Sequence, residues 1–427
     1  VERQKNKLSA VFKSNIEKSN SLGRIAWKRF KRNKLAMFGM TIIAISVFVF
    51  AFGYIIAPDS SPDANEQKPE LQIKKPGFVV RLLKIRKNEL VHDVNIFEKL
   101  KNGRQNDYTY VTVYDYTFSG NDIVVEEYTG NEPNRGTKIR YNLADVVYDI
   151  NGNMPVKNDE ANGFIEFYQY STDKRIKVSA KEMQSEIEKN LLVNKKYILG
   201  TDRLGRDLLS RMLIGTRVSL SVGFIAVIIS LVLGLLLGSM AGYFRGWIDD
   251  FIMWLINVVW SIPTLLLVIA ITLVLGKGFW QVFVAVGLTM WVEVARIVRG
   301  QVLSLREKEF IEAGRALGFK HYRLILRHVL PNVMGPVIVI AASNFASAIL
   351  TEASLSFLGI GAQPPTASWG KMINDHWAYI FTADAFHLTF IPGVSIMVMV
   401  LAFMLVGNGL RDALDSKSID TKQTSLS

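Results

Sequence analysis

The chain of 427 residues is 49% hydrophobic, carries a formal charge of +12 and has no cysteine. That length suits two or three domains, and the missing cysteine excludes a disulfide framework and a thiolate metal site. The basic excess points either to nucleic acid or to an anionic membrane surface, and its placement along the chain separates the two.

Residues 1–34 are basic, and WKRFKRNK (27–34) abuts the apolar run LAMFGMTIIAISVFVFAFGYIIA at 35–57. That run is long enough to cross a bilayer with some tilt. A signal peptide would have a shorter apolar core, roughly 7–15 residues, after a short basic start. Positive charge ahead of the first span places the N-terminus in the cytoplasm. Residues 58–199 change character. YTYVTVYDYTF (108–118), NDIVVEEYT (121–129), GFIEFYQYS and KRIKVSA are rich in β-branched and aromatic residues, with turn signals at Gly120, Asn121, Gly130 and Asn131. They read as strands of a domain outside the membrane. SAKEMQSEIEKNLL (179–192) reads as one amphipathic helix, capped by Ser179 with Glu182 three residues on.

From residue 198 the chain returns to the membrane. LGTDRLGRDLLSRMLIGTRVS (199–219) reads as an interfacial helix leading into the next span. Further spans fall near 217–243, 250–275, 279–299, 333–357 and 389–410, six with the first. The orientation checks itself. Arg245, the basic residues between spans four and five, and the tail from Arg411 fall inside, while Lys277 falls outside.

Gly234, Gly238 and Gly242 recur every four residues, a spacing that lets helices approach closely in lipid, and packing within the chain is favoured over a subunit contact. Pro263, Pro336 and Pro392 interrupt spans three, five and six. Such prolines often mark cavity-lining or moving helices. Glu352 in span five should face protein or water, as a pathway residue or as a structural one, and Ser343, Asn344 and Ser347 share that ambiguity. No GxxxxGK[ST] or HExxH pattern occurs, and the five histidines are scattered. Nothing argues for catalysis, a bound cofactor or a metal in this chain.

The cytoplasmic segment LREKEFIEAGRALGFKHYRLILRHVLPN reads as helix, turn, helix. Phe310, Ile311, Ala313, Ala316 and Leu317 follow helical spacing, Gly318 suits the left-handed end of a helix, and a second helix over 322–329 stops before Pro331. A helix this short needs a partner surface. The small residues Ala313, Gly314 and Ala316 give a face that another protein could approach, and helix-in-groove docking is a common mode. A DNA-binding helix-turn-helix fits loosely, but the tether between two spans keeps duplex away. Contact with anionic lipid can coexist with docking.

This segment resembles the EAA loop of ABC importer permeases through Glu312, Ala313, Gly314, Gly318, Leu330 and Pro331. Gly314 replaces the commoner alanine, and His328 stands where an aliphatic residue is usual. WKRFKRNKLAMFG, LGTDRLGRDLLSR and TEASLSFLGIGAQPPTASWG are similar to the oligopeptide/dipeptide permease family, C-type subunit, over residues 22–57 and 198–415. The 58–199 domain lies outside the resemblance.

The resemblance implies an all-α polytopic membrane protein of six transmembrane helices, with a type I ABC importer permease-like fold and an inserted extracytoplasmic α+β, strand-rich domain. The expected division is a cytoplasmic basic segment at 1–34, a first span at 35–57, the insertion at 58–199, a permease core at 200–411 with the EAA coupling loop at 300–332, and a cytoplasmic tail at 412–427. The implied assembly sits in the cell membrane with both termini cytoplasmic. It holds a second homologous permease, two ATPase subunits that carry the ATP and Mg, an extracytoplasmic peptide-binding protein and membrane lipid, with no nucleic acid. The coupling residues would be Glu312, Ala313, Gly314, Ala316, Leu317, Gly318, Leu330 and Pro331, and the candidate pathway or gating residues Ser343, Asn344, Ser347 and Glu352. Nickel or another small solute is the alternative cargo in the same subfamily, although few histidines and no cysteine speak mildly against a metal path. A membrane sensor with 58–199 as ligand-binding ectodomain is the alternative of a different class.

Overall fold

The structure is a computed structural model that describes residues 22–89, 94–130, 132, 134–159, 163–276 and 278–414. Lys277, Asn131, residues 1–21 and most of the expected tail lie outside the described residues. The chain divides into two compact units, one of residues 48–218 and 362–393, the other of the remainder.

An amphipathic basic helix, α1 (Leu22–Arg32), leads into the apolar helix α2 (Lys34–Ile56). The first compact unit then supplies β1 (Phe78–Arg86), α3 (Ile96–Asn102), β2 (Tyr108–Ser119), β3 (Asp122–Glu127), β4 (Lys138–Asn142) and α4 (Leu143–Val147). After these come β5 (Lys157–Asp159), β6 (Phe164–Tyr168), β7 (Arg175–Ser179), α5 (Ala180–Glu186) and β8 (Leu192–Tyr197). A five-stranded antiparallel sheet runs β4-β3-β2-β1-β8, and β5-β6-β7 make a second, three-stranded one. Alternation along the strands sorts the side chains. Leu83, Val113, Ile123 and Val125 join Ile165, Phe167, Met183 and Ile187 in the main core, while Val80, Leu82, Leu71 and Tyr197 form a smaller one.

The helix expected over 179–192 is present from Ala180 to Leu191, but it is not uniform. α5 widens into a π turn at Ile187–Leu191, and Leu192 already belongs to β8. Ser179 holds the cap position but its hydroxyl makes no capping bond. The expected interfacial helix at 199–219 is also corrected. Residues 200–207 form an irregular turn, because Asp202 accepts hydrogen bonds from the Leu204 and Arg206 amides (2.9 and 3.0 Å) and from Arg206 Nε (2.7 Å). Helix begins only at α6 (Leu208–Phe244). Asp59 N–Ser210 Oγ, Lys74 N–Thr201 Oγ1 and Arg206 Nη1–Asn65 Oδ1 tie this turn and the start of α6 to residues 59–74. Later in the chain the same unit includes α13 (Trp369–His376), whose Trp369 Nε1 donates to Met212 O at 3.0 Å.

In the second unit α6 is followed by α7 (Gly246–Trp260), α8 (Thr264–Leu275), α9 (Phe279–Arg306), α10 (Glu309–Ala316), α11 (His321–Leu324), α12 (Leu330–Phe357) and α14 (His387–Leu414). Among the described residues, five helices are long and apolar enough to cross a membrane, counting α11 to α12 as one. The pair α7–α8, bent by 93° at the Pro263 break, makes a sixth if it is a single span. The expected third span, 250–275, is thus two helices that break at Pro263, the proline expected to interrupt it. The Gly234, Gly238 and Gly242 stripe lies against α9 of the same chain. A Cβ at Gly234 would come within 2.4 Å of Val294, and one at Gly238 within 2.5 Å of Ala295 O. Backbones this close need glycine, and the contact is intramolecular.

Candidate functional site: the loop between α9 and α12

α9 stops at Arg306, and Lys308 turns the chain in an extended conformation before α10. α10 has only eight residues, with Glu309 and Glu312 in its first turn and Arg315 in its last, each placed to favour the helix dipole. It closes in a Schellman motif. Phe319 N–H donates to Gly314 O at 3.0 Å and Gly318 N–H to Arg315 O at 2.9 Å, with Gly318 at φ +75°. Gly318 therefore holds the left-handed position that its sequence suggested.

α10 has two faces. Ile311 and Gly314 point inward, into a core with Leu324, Val329, Val333, Val298 and Val302. Glu312, Ala313, Ala316, Leu317 and Gly318 point outward. Leu317 is 73% exposed, and Leu326 and Tyr322 are each 63% exposed, an unusual display of large apolar side chains around a charged loop. Gly314 corrects its expected place on the outer face. A Cβ there would meet Leu324 Cδ2 at 2.7 Å, so glycine serves the packing of α10 on the chain itself.

The second helix also differs from expectation. It does not stop before Pro331. α11 passes through a π turn at Ile325–Val329, with Leu330 N–H donating to Ile325 O, straight into α12. Proline lacks an N–H and its ring crowds the preceding turn, and the wider π turn just before Pro331 eases that conflict. Leu330 is half-buried and Pro331 exposed. His328, out of pattern in the sequence, stacks on Phe319 with ring centres 6.3 Å apart.

Polar contacts hold the loop to the bundle. Tyr243 Oη and His321 Nδ1 are 3.1 Å apart, Arg245 pairs with Glu307 at 2.6 Å, and Arg299 grips Asp249 of α7 through Nε and Nη2 at 2.5 and 2.6 Å. Tyr243, Arg245 and Asp249 went unnoticed in the sequence as loop anchors, since each lies at least 50 residues from its partner.

The four candidate pathway residues on α12 separate by face. Ser343 and Ser347 are exposed, with Leu350 next along the same stripe. Asn344 and Glu352 are buried at 2% and 1%, and Glu352 Oε1 accepts from Ser356 Oγ at 2.6 Å. Apart from the helices, residues 48–218 with 362–393 hold an open cavity of about 610 Å³, lined among others by Asp63, Glu66, Lys87, Asn106, Tyr108 and Tyr110.

An apolar helical bundle that presents a short, firmly anchored loop helix has the form of a permease subunit of an ABC importer. Two family models match: binding-protein-dependent transport system inner membrane component over residues 234–419, and N-terminal TM domain of oligopeptide transport permease C over residues 21–74. The glutathione transport system permease protein GsiD of Escherichia coli O157:H7 is 44% identical over 222 residues, covering 52% of this chain and 73% of the relative. The protein of that name from Pectobacterium atrosepticum is 42% identical over 219 residues, covering 51% and 72%. Among solved structures, the inward-facing MetNI methionine ABC transporter aligns with a TM-score of 0.40 at 18% identity, over 47% of this chain and 94% of that one. The chain belongs to the oligopeptide/dipeptide family of ABC importer permeases.

Proposed function

We propose that this chain is a six-span permease that lines the path of an ATP-driven importer for short peptides together with a second, homologous permease. Its α10 loop takes up the stroke of an ATPase subunit. Two such ATPases bind the ATP and Mg, and an extracytoplasmic peptide-binding protein delivers the cargo. The two-faced α10 carries this reading. Its inner face is welded to α9 and α12, so a push on Glu312, Ala313, Ala316 or Leu317 moves two spans.

The packing supports six crossings. α6 and α9 run side by side in the same direction, since Gly234, Gly238 and Gly242 meet Val294, Val298 and Val302 in turn. α7 clusters with Val292 and Ala295, and α8 with Val282 and Val286, so the bent pair climbs α9 as one span. α12 runs against α9, and α14 against α12, with Phe403 stacked on Phe345 and Gly407 beside Ala342. α2 runs against α14, with Gly39 at Ala402 and Gly409 at Ala36. This alternation gathers Lys34, Arg245, Arg299, the α10 loop and Arg411 at one end. Basic residues favour the cytoplasmic side, so that end is inside, with both termini. The exposed serines Ser343 and Ser347 suit a path wall better than lipid, because polar groups in a membrane turn to protein or water.

Short peptides are the proposed cargo because the relatives at 44% identity are named for glutathione, itself a tripeptide. The test is reconstitution of the whole complex in proteoliposomes, with uptake of labelled di- and tetrapeptides, glutathione and nickel compared. A side chain at Gly318 would meet open space, so a substitution there acts through the backbone alone. A β-branched residue in the left-handed region costs roughly 1–2 kcal/mol. Gly318→Val should abolish uptake while the chain still reaches the membrane, and Gly318→Asn should retain much of it, because asparagine tolerates that region. Normal uptake by Gly318→Val would overturn the coupling role, and uptake of nickel alone would overturn the cargo.

A further inference from the structure

Three guanidinium groups meet at one corner of the helical unit and outnumber the acids there. Arg245 lies in the turn between α6 and α7, Arg306 ends α9, and Arg315 sits in the last turn of α10. Glu307 is paired with Arg245 at 2.6 Å. Arg315 stands 5.3 Å over the Tyr243 ring. Arg306 has Arg245, Arg315, Glu307 and Tyr243 as its electrostatic neighbours. Its Nε and Nη1 are shielded from solvent and have no hydrogen-bond partner among the described residues. Arg245 is held at φ +60°, a backbone conformation that residues other than glycine seldom adopt.

Like charges gathered with unmet, desolvated donors are costly. An anion at this corner removes both costs, since guanidinium forks match phosphate oxygens two by two. The surroundings indicate where the anion comes from. Phe244 and Trp247, on either side of Arg245 and Gly246, are 41% and 77% exposed. Exposed aromatic residues at the ends of spans mark the headgroup level of a bilayer, and basic pockets between spans at that level take lipid headgroups. We propose that Arg245, Arg306 and Arg315 bind the phosphate of an anionic phospholipid. A bound lipid would brace the root of α10 against the bundle at the point where the loop leaves α9. The inference rests on α6 and α9 being membrane spans and is independent of cargo and of ATPase docking.

The test melts the full chain in detergent, stripped of native lipid, after adding phosphatidylglycerol, phosphatidylcholine of the same chain length, or inorganic phosphate. Ligand binding to the folded state raises the melting temperature, and loss of affinity removes the rise. Phosphatidylglycerol should raise it by several degrees, and the other two by about a third of that or less. Arg306→Gln and Arg315→Gln should each cut the phosphatidylglycerol shift about threefold or more, while Arg411→Gln, an exposed basic residue at the same end, should keep it. If Arg306→Gln fails to fold, Arg315→Gln decides. An equal shift from phosphatidylcholine, or a phosphatidylglycerol shift that survives the substitutions, overturns the site. A full shift from inorganic phosphate assigns the corner to a soluble anion and overturns the lipid. A chain that stays in solution without detergent overturns the membrane reading itself, an outcome distinct from all of these.

Discussion

Gly314 is where sequence and structure part most clearly. The sequence counts it with Ala313 and Ala316 as one small-residue surface, because all three sit within one turn of helix. The structure turns Gly314 inward, against a leucine ten positions on in a different helix, and no local pattern reports that contact. Two opposed terms set the outcome of Gly314→Ala. Alanine gains about 0.8–1.0 kcal/mol of helix propensity, and Leu324 must leave its preferred rotamer at about 0.5–1.5 kcal/mol. They nearly cancel, so the melting temperature of Gly314→Ala should stay within a few degrees of the parent. Gly314→Leu should lower it sharply and weaken uptake, since a branched side chain cannot share the space with Leu324; a melting curve of each variant settles both. His376 makes a second residue-level case. Burial pushes its imidazole below the ordinary histidine value, against the hydrogen bond to Met372 O, which favours the charged form. The unfolded chain then takes up a proton near pH 6.5 while the folded one does not. Stability should be full above that pH and fall as pH drops toward the lower, folded value. Melting temperature measured across pH 7.5 to 5 should show this fall, and His376→Gln should flatten it.

At the scale of elements, the apolar spans and the β-rich insertion were legible, because periodicity and long uncharged runs are local signals. What was not legible depended on distant partners. β1 and β8 carry mixed sequences, FVVRLLKIR and LVNKKY, and become neighbouring strands only by pairing with each other across the whole insertion. The turn at 200–207 looked helical from its apolar spacing, but Asp202 claims two backbone amides and an arginine instead. The pairing Phe78↔Tyr197 has a practical result. Paired residues in an antiparallel ladder lie about 4.5–5.5 Å apart, so a few glycines can rejoin the ends. Excising 79–196 should leave a chain that still inserts in the membrane. Excising 58–199 should not, because residues 59–74 bond to Ser210, Thr201 and Arg206. We propose that the insertion contacts an extracytoplasmic peptide-binding protein or a second permease, and the shorter deletion should then weaken that association. Unchanged uptake and unchanged association in that variant would leave the domain a decoration.

For the molecule as a whole, charge was the most informative property of the sequence. The excess of +12 reads as nucleic-acid binding until the basic residues are seen to flank long apolar runs. The three-dimensional arrangement adds what a count could not: some of that charge is already engaged. Arg299 grips Asp249, and Arg296 lies 3.5 Å over the Trp260 ring. The adjoining ends of the insertion have a further consequence. A domain that departs and returns through neighbouring strands transmits little strain to its host, so it can be exchanged as a cassette. A fluorescent or affinity module spliced between Phe78 and Tyr197 would report on the chain while its apolar helices kept their own packing.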